Sequence, residues 1–393
     1  MRLLYLSTVF PRPDDQTHGI FSYHLCSALA AQHEVRVVSP RSWLEWVRTR
    51  GGKAVRDGDS SNDRRQLRAI YPRYYYPPRM LRNAHGWFMW HSVQRRLRAL
   101  LQTYRPECIL SYWSYPDGAV ANRAARVAKV PSVVMVGGSD VLLCDRVGRR
   151  ERVSTVLRSA SAVVTIGRDL RDKVVAMGVQ PDRVFVTERG VDTQNFCRGD
   201  RQEARKRLGI PLELPALLWV GRMAPVKGLS VLLEACAQLR ASGQRFRLYL
   251  VGDGELRSSM EKAALAANLL TPAGADSERS AGVSFVGIRA HHQLPDWYRA
   301  ADVTVLPSLS EGVPNVLRES LACGTPFVAS RVGGIPEIST DPANRLVAPG
   351  EPTVLAEAIA LALHERPATK LETVPVVDWN QAAQSLLEVI RRL

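Results

Sequence analysis

Short apolar runs alternate with longer amphipathic stretches along almost the whole chain, and this alternation limits the possible folds more than any other feature. The first half predicts a helix at 19–32 and strands at 2–8, 34–39, 107–111, 131–136, 161–166 and 183–187. The second half predicts strands at 215–221, 246–252, 283–287, 302–307 and 326–330. Strands separated by helices form parallel sheets with helices on both faces. We therefore predict an α/β protein with two Rossmann-like domains.

The length of the chain also indicates two domains. A chain of 393 residues exceeds the size at which one hydrophobic core keeps growing, and 46% hydrophobic residues suffice for packed interiors. We predict the hinge near residues 190–192, before the polar stretch 198–207. A final helix at 380–392 follows Trp379 and could belong to either domain.

The charge is distributed unevenly. Residues 1–190 contain 31 Lys and Arg against 16 Asp and Glu, whereas residues 191–393 contain 22 of each, so the first half carries the whole excess of +15. A basic half predicts an anionic partner, which could be nucleic acid, a membrane surface or an acidic substrate. The alternative is a solvated charge without a specific partner. Because no nucleic-acid-binding motif is recognisable, we expect no nucleic-acid partner.

The six cysteines form no C-x-x-C pair and join no His cluster. This argues against a disulfide framework or a zinc site and favours reduced thiols in a cytoplasmic protein. No apolar run reaches the roughly 18 residues needed to span a bilayer. The opening MRLLYLSTVF lacks a small-residue cleavage site, so we interpret it as a buried strand. We expect a cytoplasmic protein, either free or peripheral at the inner face of the cell membrane.

Residues 41–86 interrupt the regular pattern. The segment is rich in Arg, Gly and Asp and then in Tyr and Pro, and Trp87, Phe88 and Trp90 follow it closely. Long loops inside compact domains usually have a function or are mobile. Aromatic residues among arginines suit an acceptor pocket or a membrane interface. Ordinary packing of aromatic residues under a loop is an equally good interpretation.

The segment LLWVGRMAPVKGL predicts a strand that ends at Gly221 and a helix that begins near Leu229. Arg222 and Lys227 lie in the connection. Free N–H groups and the helix dipole already favour an anion at such a junction, so two added cations predict a diphosphate site. The alternative is a pair of solvated surface cations.

The segment VLPSLSEGVPNVLRESLACG predicts another strand, loop and helix, with Pro314 in the first helical turn and Gly324 at the end. Glu311 precedes the helix and Glu319 lies within it. Carboxylates accept hydrogen bonds from ribose hydroxyls in nucleotide folds. Glu319 is therefore a candidate ribose ligand, and Glu311 could face a transferred sugar. Backbone groups near the phosphates would come from Gly312, Val313, Pro314, Asn315 and Val316. The alternative has Glu311 as a helix-start charge and Glu319 as a surface residue.

Together with VGGIPEI, these two motifs resemble the retaining nucleotide-sugar glycosyltransferases of family 4, over residues 215–340. The first half agrees more loosely, through Gly19, YPDG at 115–118, GGSD at 137–140 and GVD at 190–192. The resemblance implies the GT-B fold, with two facing Rossmann-like domains and a last helix that crosses back to the first. It implies an acceptor domain of residues 1–190 with helix 378–393, and a donor-nucleotide domain of residues 191–377.

The resemblance also implies a role for each matching residue. Arg222 and Lys227 would clamp the donor diphosphate, Glu319 would hold the ribose, and Glu311 would lie beside the donor sugar. Gly19 would let the first loop approach the phosphates. The backbone at Ile288 and Arg289 would contact the base.

Two positions depart from the family pattern. Gly137 stands where many members have a His that contacts the donor sugar, and Arg189 stands where Asn is usual. The sugar contact would then pass to Ser139, Asp140 or another loop, or be absent, and we take Asp140 together with Glu311 as the candidate catalytic residues.

The implied reaction moves a sugar from a nucleotide diphosphate to a saccharide or lipid-linked hydroxyl acceptor, in cell-surface polysaccharide or glycolipid assembly. It uses electrostatic stabilisation and positioning. We expect no metal and no cofactor: DGD at 57–59 fits turn chemistry, VGDGE lacks the third glycine of a dinucleotide motif, and His291-His292 fits a surface pair. The alternatives are a sugar-nucleotide-binding protein that has lost catalysis and a sugar-nucleotide epimerase on the same fold.

Overall fold

A computed structural model describes residues 1–12, 14–15, 18–48, 67–78, 80–142, 147–270, 282–365 and 376–393. The chain divides into two compact units. The first contains Met1–Gly190 and Val377–Leu393, and the second contains Val191–Val376. The division therefore falls at the predicted hinge.

The first unit is built on a seven-stranded, all-parallel sheet. Its strand order is β4-β2-β1-β6-β7-β8-β9, and a small parallel pair, β3-β5, lies apart from it. The strands are β1 Arg2–Leu6, β2 Glu34–Val38, β3 Arg41–Ser42, β4 Arg68–Ile70, β5 Arg73–Tyr74, β6 Cys108–Tyr112, β7 Ser132–Val136, β8 Ala162–Thr165 and β9 Val184–Val186. All six strands predicted for this half are confirmed, whereas β3, β4 and β5 were not predicted.

Alternate residues of the first strand point into two different cores. Leu3 and Tyr5 join one buried cluster, whereas Leu4 and Leu6 join the other. A strand buried on both faces has this pattern, and it explains why the strands appear in the sequence as continuous apolar runs. The covering helices are α1 Ile20–Ala30, α2 Trp43–Arg48, α3 His85–Tyr104, α4 Ala119–Ala128, α5 Ser139–Leu142, α6 Val147–Ser159 and α7 Arg168–Ala176.

The second unit has a six-stranded parallel sheet in the order β12-β11-β10-β13-β14-β15. The strands are β10 Ala216–Val220, β11 Arg247–Val251, β12 Gly282–Gly287, β13 Val303–Leu306, β14 Phe327–Ser330 and β15 Arg345–Val347. The helices are α8 Arg201–Leu208, α9 Leu229–Ala241, α10 Arg257–Ala266, α11 Leu294–Ala300, α12 Asn315–Ala322, α13 Ile335–Ile338 and α14 Pro352–His364. The five predicted strands are confirmed, and β15 adds a sixth.

The last helix, α15 Trp379–Arg391, returns to the first unit. It begins with a capping box, in which Asp378 accepts a hydrogen bond from the Gln381 backbone N–H while the Gln381 side chain accepts from the Asp378 backbone N–H. Leu386 and Ile390 on its buried face join the same core cluster as Leu3 of β1. This packing answers the question, left open by the sequence, of which domain holds the final helix.

Candidate functional site

The loops that follow β10 and β13 bring Lys227 and Glu311 together at the carboxyl edge of the second sheet. Lys227 ends a short 3₁₀ turn after β10, and its Nζ donates to Glu311 Oε1 at 2.5 Å. The Ser308 hydroxyl donates to the same oxygen at 2.7 Å. The ammonium side chain is 24% exposed and the carboxylate 11%. The predicted diphosphate cation and the predicted sugar-side carboxylate therefore form one half-buried ion pair.

Two glycines allow these loops to pack closely. A Cβ on Gly333 would lie 1.9 Å from the Glu311 carbonyl oxygen, and a Cβ on Gly228 would lie 2.0 Å from the Pro307 carbonyl oxygen. Both have φ in the left-handed region, +52° and +64°. Gly333 belongs to VGGIPEI and Gly228 to the K-G pair. Because neither has a side chain, the loop that carries Glu311 and the strand end before it can pack closely against their neighbours.

Glu319 lies in α12, where its carboxylate is almost buried at 7% exposure. It accepts hydrogen bonds from the Tyr298 hydroxyl at 2.9 Å and from His291 Nε2 at 3.0 Å. Burial first, and then the Glu319 charge, raise the pKa of Tyr298 well above its usual value, so the phenol keeps its proton and donates it. The surface interpretation of Glu319 is excluded by this burial.

The structure corrects the predicted position of His291 and adds Tyr298 to the candidate site. The sequence favoured a surface position for His291, but its side chain is only 27% exposed, bonds to Glu319 and packs on Phe196 with ring centroids 4.7 Å apart. Neither His291 nor Tyr298 was a predicted site residue, because each lies more than 20 positions from Glu319 with no local pattern that joins them.

The other predicted donor residues differ in what they can offer. Arg222, Ile288 and Arg289 are exposed in the loops after β10 and β12, and Arg289 donates to the Ile288 carbonyl oxygen at 3.0 Å. Among residues 312–316, which span the end of the loop and the start of α12, Val313 and Pro314 are buried, whereas Gly312, Asn315 and Val316 are partly exposed. Pro314 is the N-cap of α12 and not part of its first turn, because the helix begins at Asn315.

In the first unit, Gly19 stands at the start of α1 with φ +65°. A Cβ there would lie 2.5 Å from the carbonyl carbon of Val9, in the loop after β1. The glycine is therefore required for the packing of the chain on itself. Its predicted contact with donor phosphates is a separate matter and stays a prediction.

Asp140 is buried between two loops of the first unit. Its carboxylate is 1% exposed and accepts from the backbone N–H groups of Ser114 at 2.9 Å and Gly138 at 3.1 Å. Burial raises its pKa, and the bonds from Ser114 oppose that shift. A carboxylate enclosed in this way holds the loops after β6 and β7 together. The structure supports a positioning role for Asp140, and its catalytic role stays a prediction.

A second buried carboxylate, Asp117, ties the loop after β6 to the loop after β1. It accepts from the Thr8 backbone N–H at 2.8 Å, from the Thr8 hydroxyl at 2.9 Å and from the Ser7 hydroxyl at 3.2 Å. These contacts all involve Oδ2, and no described residue hydrogen-bonds to the buried Oδ1. Burial raises the pKa of Asp117 to about 7, although the bonds from Thr8 and Ser7 lower it.

The two departures from the family pattern are linked by Tyr112, at the end of β6. A Cβ on Gly137 would lie 2.0 Å from the Tyr112 hydroxyl oxygen, so the phenol occupies the space that a side chain at position 137 would need. The Arg189 guanidinium donates to that hydroxyl and lies 4.6 Å from the centroid of the Phe21 ring. Tyr112, Arg189 and Phe21 line a small apolar cavity with Trp379. A histidine at position 137 would therefore clash with Tyr112 where its ring now lies.

Several expectations concern groups outside the site. Among the described residues, no three His, Cys, Asp or Glu side chains cluster as metal ligands, and DGD at 57–59 lies outside those residues. In the part of the chain that the structure covers, no helix is long and apolar enough to cross a membrane. The cysteines at 26, 108, 197, 236 and 323 are free thiols, and Cys144 lies outside the described ranges.

Comparison with known proteins agrees with this geometry. Residues 19–195 match the model for Glycosyltransferase Family 4, and residues 214–365 match the model described as Glycosyl transferases group 1. Two Rossmann-like units, the second with cation and carboxylates at its carboxyl edge, define the class of GT-B glycosyltransferases. Within that class, the chain belongs to glycosyltransferase family 4.

The chain is also similar to individual proteins. It is 27% identical, over 93% of its length and 90% of the other, to a Bacillus subtilis protein provisionally named as a teichuronic acid biosynthesis glycosyltransferase. It is 35% identical to the D-inositol 3-phosphate glycosyltransferase of Acidothermus cellulolyticus, over 60% of this chain and 54% of that protein. It thus spans only about half of that relative.

Solved structures show the same fold over the whole chain. Anabaena HepE, in complex with UDP and glucose, gives a TM-score of 0.73 at 17% identity and covers 100% of this chain and 99% of its own. The sucrose-phosphate synthase of Thermosynechococcus elongatus gives 0.75 at 21% identity, with 100% and 94% covered. At these identities the likeness concerns the fold alone.

Proposed function

We propose that this glycosyltransferase moves a hexosyl group from a nucleotide diphosphate sugar to a hydroxyl acceptor with retention of the anomeric configuration, in cell-surface polysaccharide or glycolipid assembly. The second unit holds the donor, and the first unit holds a saccharide or lipid-linked acceptor. The observation that carries the proposal is the Lys227–Glu311 ion pair at the carboxyl edge of the second sheet. Glu311 lies in the loop just before α12, and Glu319 lies within that helix.

The donor contacts follow from the chemistry of that edge. Lys227 and Arg222 meet the diphosphate, together with backbone groups at the start of α12. Because Lys227 already bonds to Glu311, its ammonium is oriented before the donor arrives. Glu319 accepts from the ribose hydroxyls, and it must then share its oxygens with His291 and Tyr298. The exposed apolar Ile288 lies beside the base, as does the Arg289 backbone.

In the reaction, the bond between the anomeric carbon and the diphosphate oxygen breaks, and the acceptor oxygen bonds to the same face of that carbon. The acceptor O–H bond breaks in the same step, and its proton passes to the departing diphosphate oxygen. The diphosphate leaves as an anion. Its negative charge develops next to Lys227 and Arg222, and this is where electrostatic stabilisation lowers the barrier. Glu311 faces the sugar side of the same group. We propose that the step needs no metal and no cofactor.

The proposal extends to where the enzyme works. The excess of +15 in residues 1–190 suits an anionic surface, and the Bacillus subtilis relative is named for a cell-surface polymer. We therefore place the enzyme in the cytoplasm, peripheral at the inner face of the cell membrane, where lipid-linked acceptors would be met. Asp117 and Asp140 would position the loops of the first unit on the acceptor side.

A thermal-shift experiment tests the donor site. Purified protein is screened against UDP-glucose, GDP-mannose and ADP-glucose, with Lys227→Ala as the test variant and Lys262→Ala, an exposed lysine of α10, as its control. A donor at about 1 mM with a Kd near 10 μM stabilises by about 2.7 kcal/mol. Loss of a charge-assisted bond weakens binding by about 10- to 100-fold, so the variant should keep only about 1.4 to 0.4 kcal/mol.

The outcomes separate the rival functions. A shift with one nucleotide that is reduced by Lys227→Ala and kept by Lys262→Ala supports the donor site. Anomeric analysis of the product by NMR then tests retention, and transfer in the presence of EDTA tests metal independence. Binding without transfer would favour the protein that has lost catalysis, whereas interconversion of the free donor sugar would favour the epimerase. No shift with any donor would count against the site.

A further inference from the structure

The segment just before α3 and the first turn of that helix expose apolar side chains that the core does not use. Tyr75, Met80, Leu81 and Trp87 are 56%, 65%, 62% and 54% exposed. They lie close together along the chain, and the Tyr75 backbone N–H donates to Ser92 Oγ on α3, so the segment before the helix packs against it. Single exposed apolar residues are ordinary, whereas several exposed apolar residues grouped along one short segment indicate a candidate contact surface.

These residues are not a misplaced part of the core, because α3 already has a complete buried face. Met89, Trp90, Val93 and Leu97 are each at most 2% exposed and pack in one cluster with β1 and β6. Trp87, three residues before the buried Trp90, lies at the border of this buried face and is 54% exposed. Leu81 has φ +50°, a left-handed conformation that costs a leucine free energy, and its side chain is exposed to solvent.

Basic residues continue the exposed face of α3. His91, Arg95 and Arg98 follow Trp87 at helical spacing of four, four and three residues, so the four side chains share one side of the helix. The His91 ring packs on Trp87 with centroids 4.1 Å apart, and Arg95 and Arg98 are exposed. The helix thus presents an aromatic end and a basic continuation.

We propose that this α3 surface, formed by Tyr75, Met80, Leu81, Trp87, Arg95 and Arg98, docks the protein on an anionic lipid membrane. Leu81, Met80 and Trp87 would enter the boundary between headgroups and acyl chains, where amphipathic rings and aliphatic side chains are stable. The two arginines would meet anionic headgroups. Charge complementarity favours lipid over another copy of this chain, because two basic first units repel each other.

This inference gives the peripheral location in the proposed function a definite contact surface. Its test needs neither donor nor acceptor, so either proposal can fail alone. Full-length protein is floated with vesicles of phosphatidylcholine, with or without about 30% phosphatidylglycerol, at about 0.1 M and 0.5 M salt. The test variants are Leu81→Ser/Trp87→Ser and Arg95→Gln/Arg98→Gln. The controls are Leu265→Ser and Arg245→Gln, which change exposed residues of the second unit.

We expect binding that requires phosphatidylglycerol and weakens at high salt. The arginine variant should bind about 30-fold more weakly from its two lost charges, and the apolar variant at least about 10-fold. Both controls should bind like the wild type, and every variant should keep its thermal shift with donor. No vesicle binding, equal binding to both lipid compositions, or full binding by both α3 variants would overturn the proposal. So would dimerisation in solution that the Trp87 variant abolishes while vesicle binding persists.

Discussion

A methyl group at position 137 should destabilise the first unit, because Tyr112 already occupies the space it needs. A Cβ on Gly137 would lie 2.0 Å from the Tyr112 hydroxyl oxygen and 2.6 Å from its Cζ, well inside van der Waals contact. Gly137 does not have a left-handed φ, so alanine suits its backbone. The cost of Gly137→Ala is therefore steric and comes from one side chain.

The magnitude follows from what Tyr112 must give up to move. Its ring is 7% exposed and its hydroxyl accepts from Arg189. Forcing extra atoms into a packed site costs about 1–3 kcal/mol, and a bond from a charged donor contributes about 1.5–3 kcal/mol when it is lost. Alanine restricts the unfolded chain and returns about 0.4–1 kcal/mol. We expect Gly137→Ala to lower the free energy of unfolding by about 2–4 kcal/mol.

A double-mutant cycle measures this cost. Urea unfolding and thermal melts are recorded for Gly137→Ala, Tyr112→Leu and the double variant. In the Tyr112→Leu background the phenol is gone, so Gly137→Ala should change stability by less than about 0.5 kcal/mol. With Tyr112 present, the melting temperature of the first unit should fall by about 2–4 °C for each kcal/mol.

Two results would refute this reasoning. One is a Gly137→Ala variant as stable as the wild type with Tyr112 in place. The other is the same destabilisation with and without the phenol, which would mean that the clash is with something else. If the cycle behaves as expected, Gly137→His should be tolerated only in the Tyr112→Leu background, and this would connect the steric cause to the family's usual residue.

Three further predictions concern both units. Burial raises the pKa of Asp117 to about 7, so the protonated carboxyl favours the folded state at low pH, and this stabilisation is lost as pH rises from about 4 to about 7. Asp117→Asn should therefore flatten the dependence of the free energy of unfolding on pH over this range. If urea unfolding at several pH values gives the same pH dependence for the variant as for the wild type, the prediction is wrong. Gly333→Ala should cost at least about 2 kcal/mol in thermal melts, because its Cβ would meet the Glu311 carbonyl oxygen at a left-handed φ; a neutral variant would show that the loop can move away. Glu319→Ala should weaken binding of the nucleotide diphosphate that the donor screen identifies by about tenfold or more in calorimetric titrations, and His291→Ala by less; an equal loss in both would mean that the histidine itself contacts the nucleotide.

Much of the fold was predictable because buried parallel strands leave a strong signal in the sequence. All five residues of β10 are buried, so the strand appears as an unbroken apolar run. The loops after such strands lie at one edge of the sheet, and the sequence could therefore place Lys227 and Glu311 on the same edge. Strands β4 and β5 were missed because they are three and two residues long and only partly buried.

The candidate site was only half predictable for a related reason. Glu311 and Glu319 belong to one continuous motif, so their spacing along the chain is informative. The partners of Glu319 are not part of that motif. His291, in the turn just before α11, and Tyr298, within α11, lie 28 and 21 residues away along the chain and meet Glu319 where this segment packs against α12. No periodicity in the sequence specifies which side chain meets another across two packed helices.

By itself, the sequence determined the two parallel sheets, the positions of most strands and the donor loops. Strands buried on both faces form continuous apolar runs, and the loops that follow them can be located from the same local pattern. Only the tertiary structure decided which polar residues are enclosed and which spaces are filled. The buried Asp140 carboxylate accepts hydrogen bonds from N–H groups of two loops and so links them. A side chain at position 137 would clash with the Tyr112 phenol from the neighbouring strand. Enclosure and steric exclusion depend on atoms brought together by folding, so these features are absent from any local pattern.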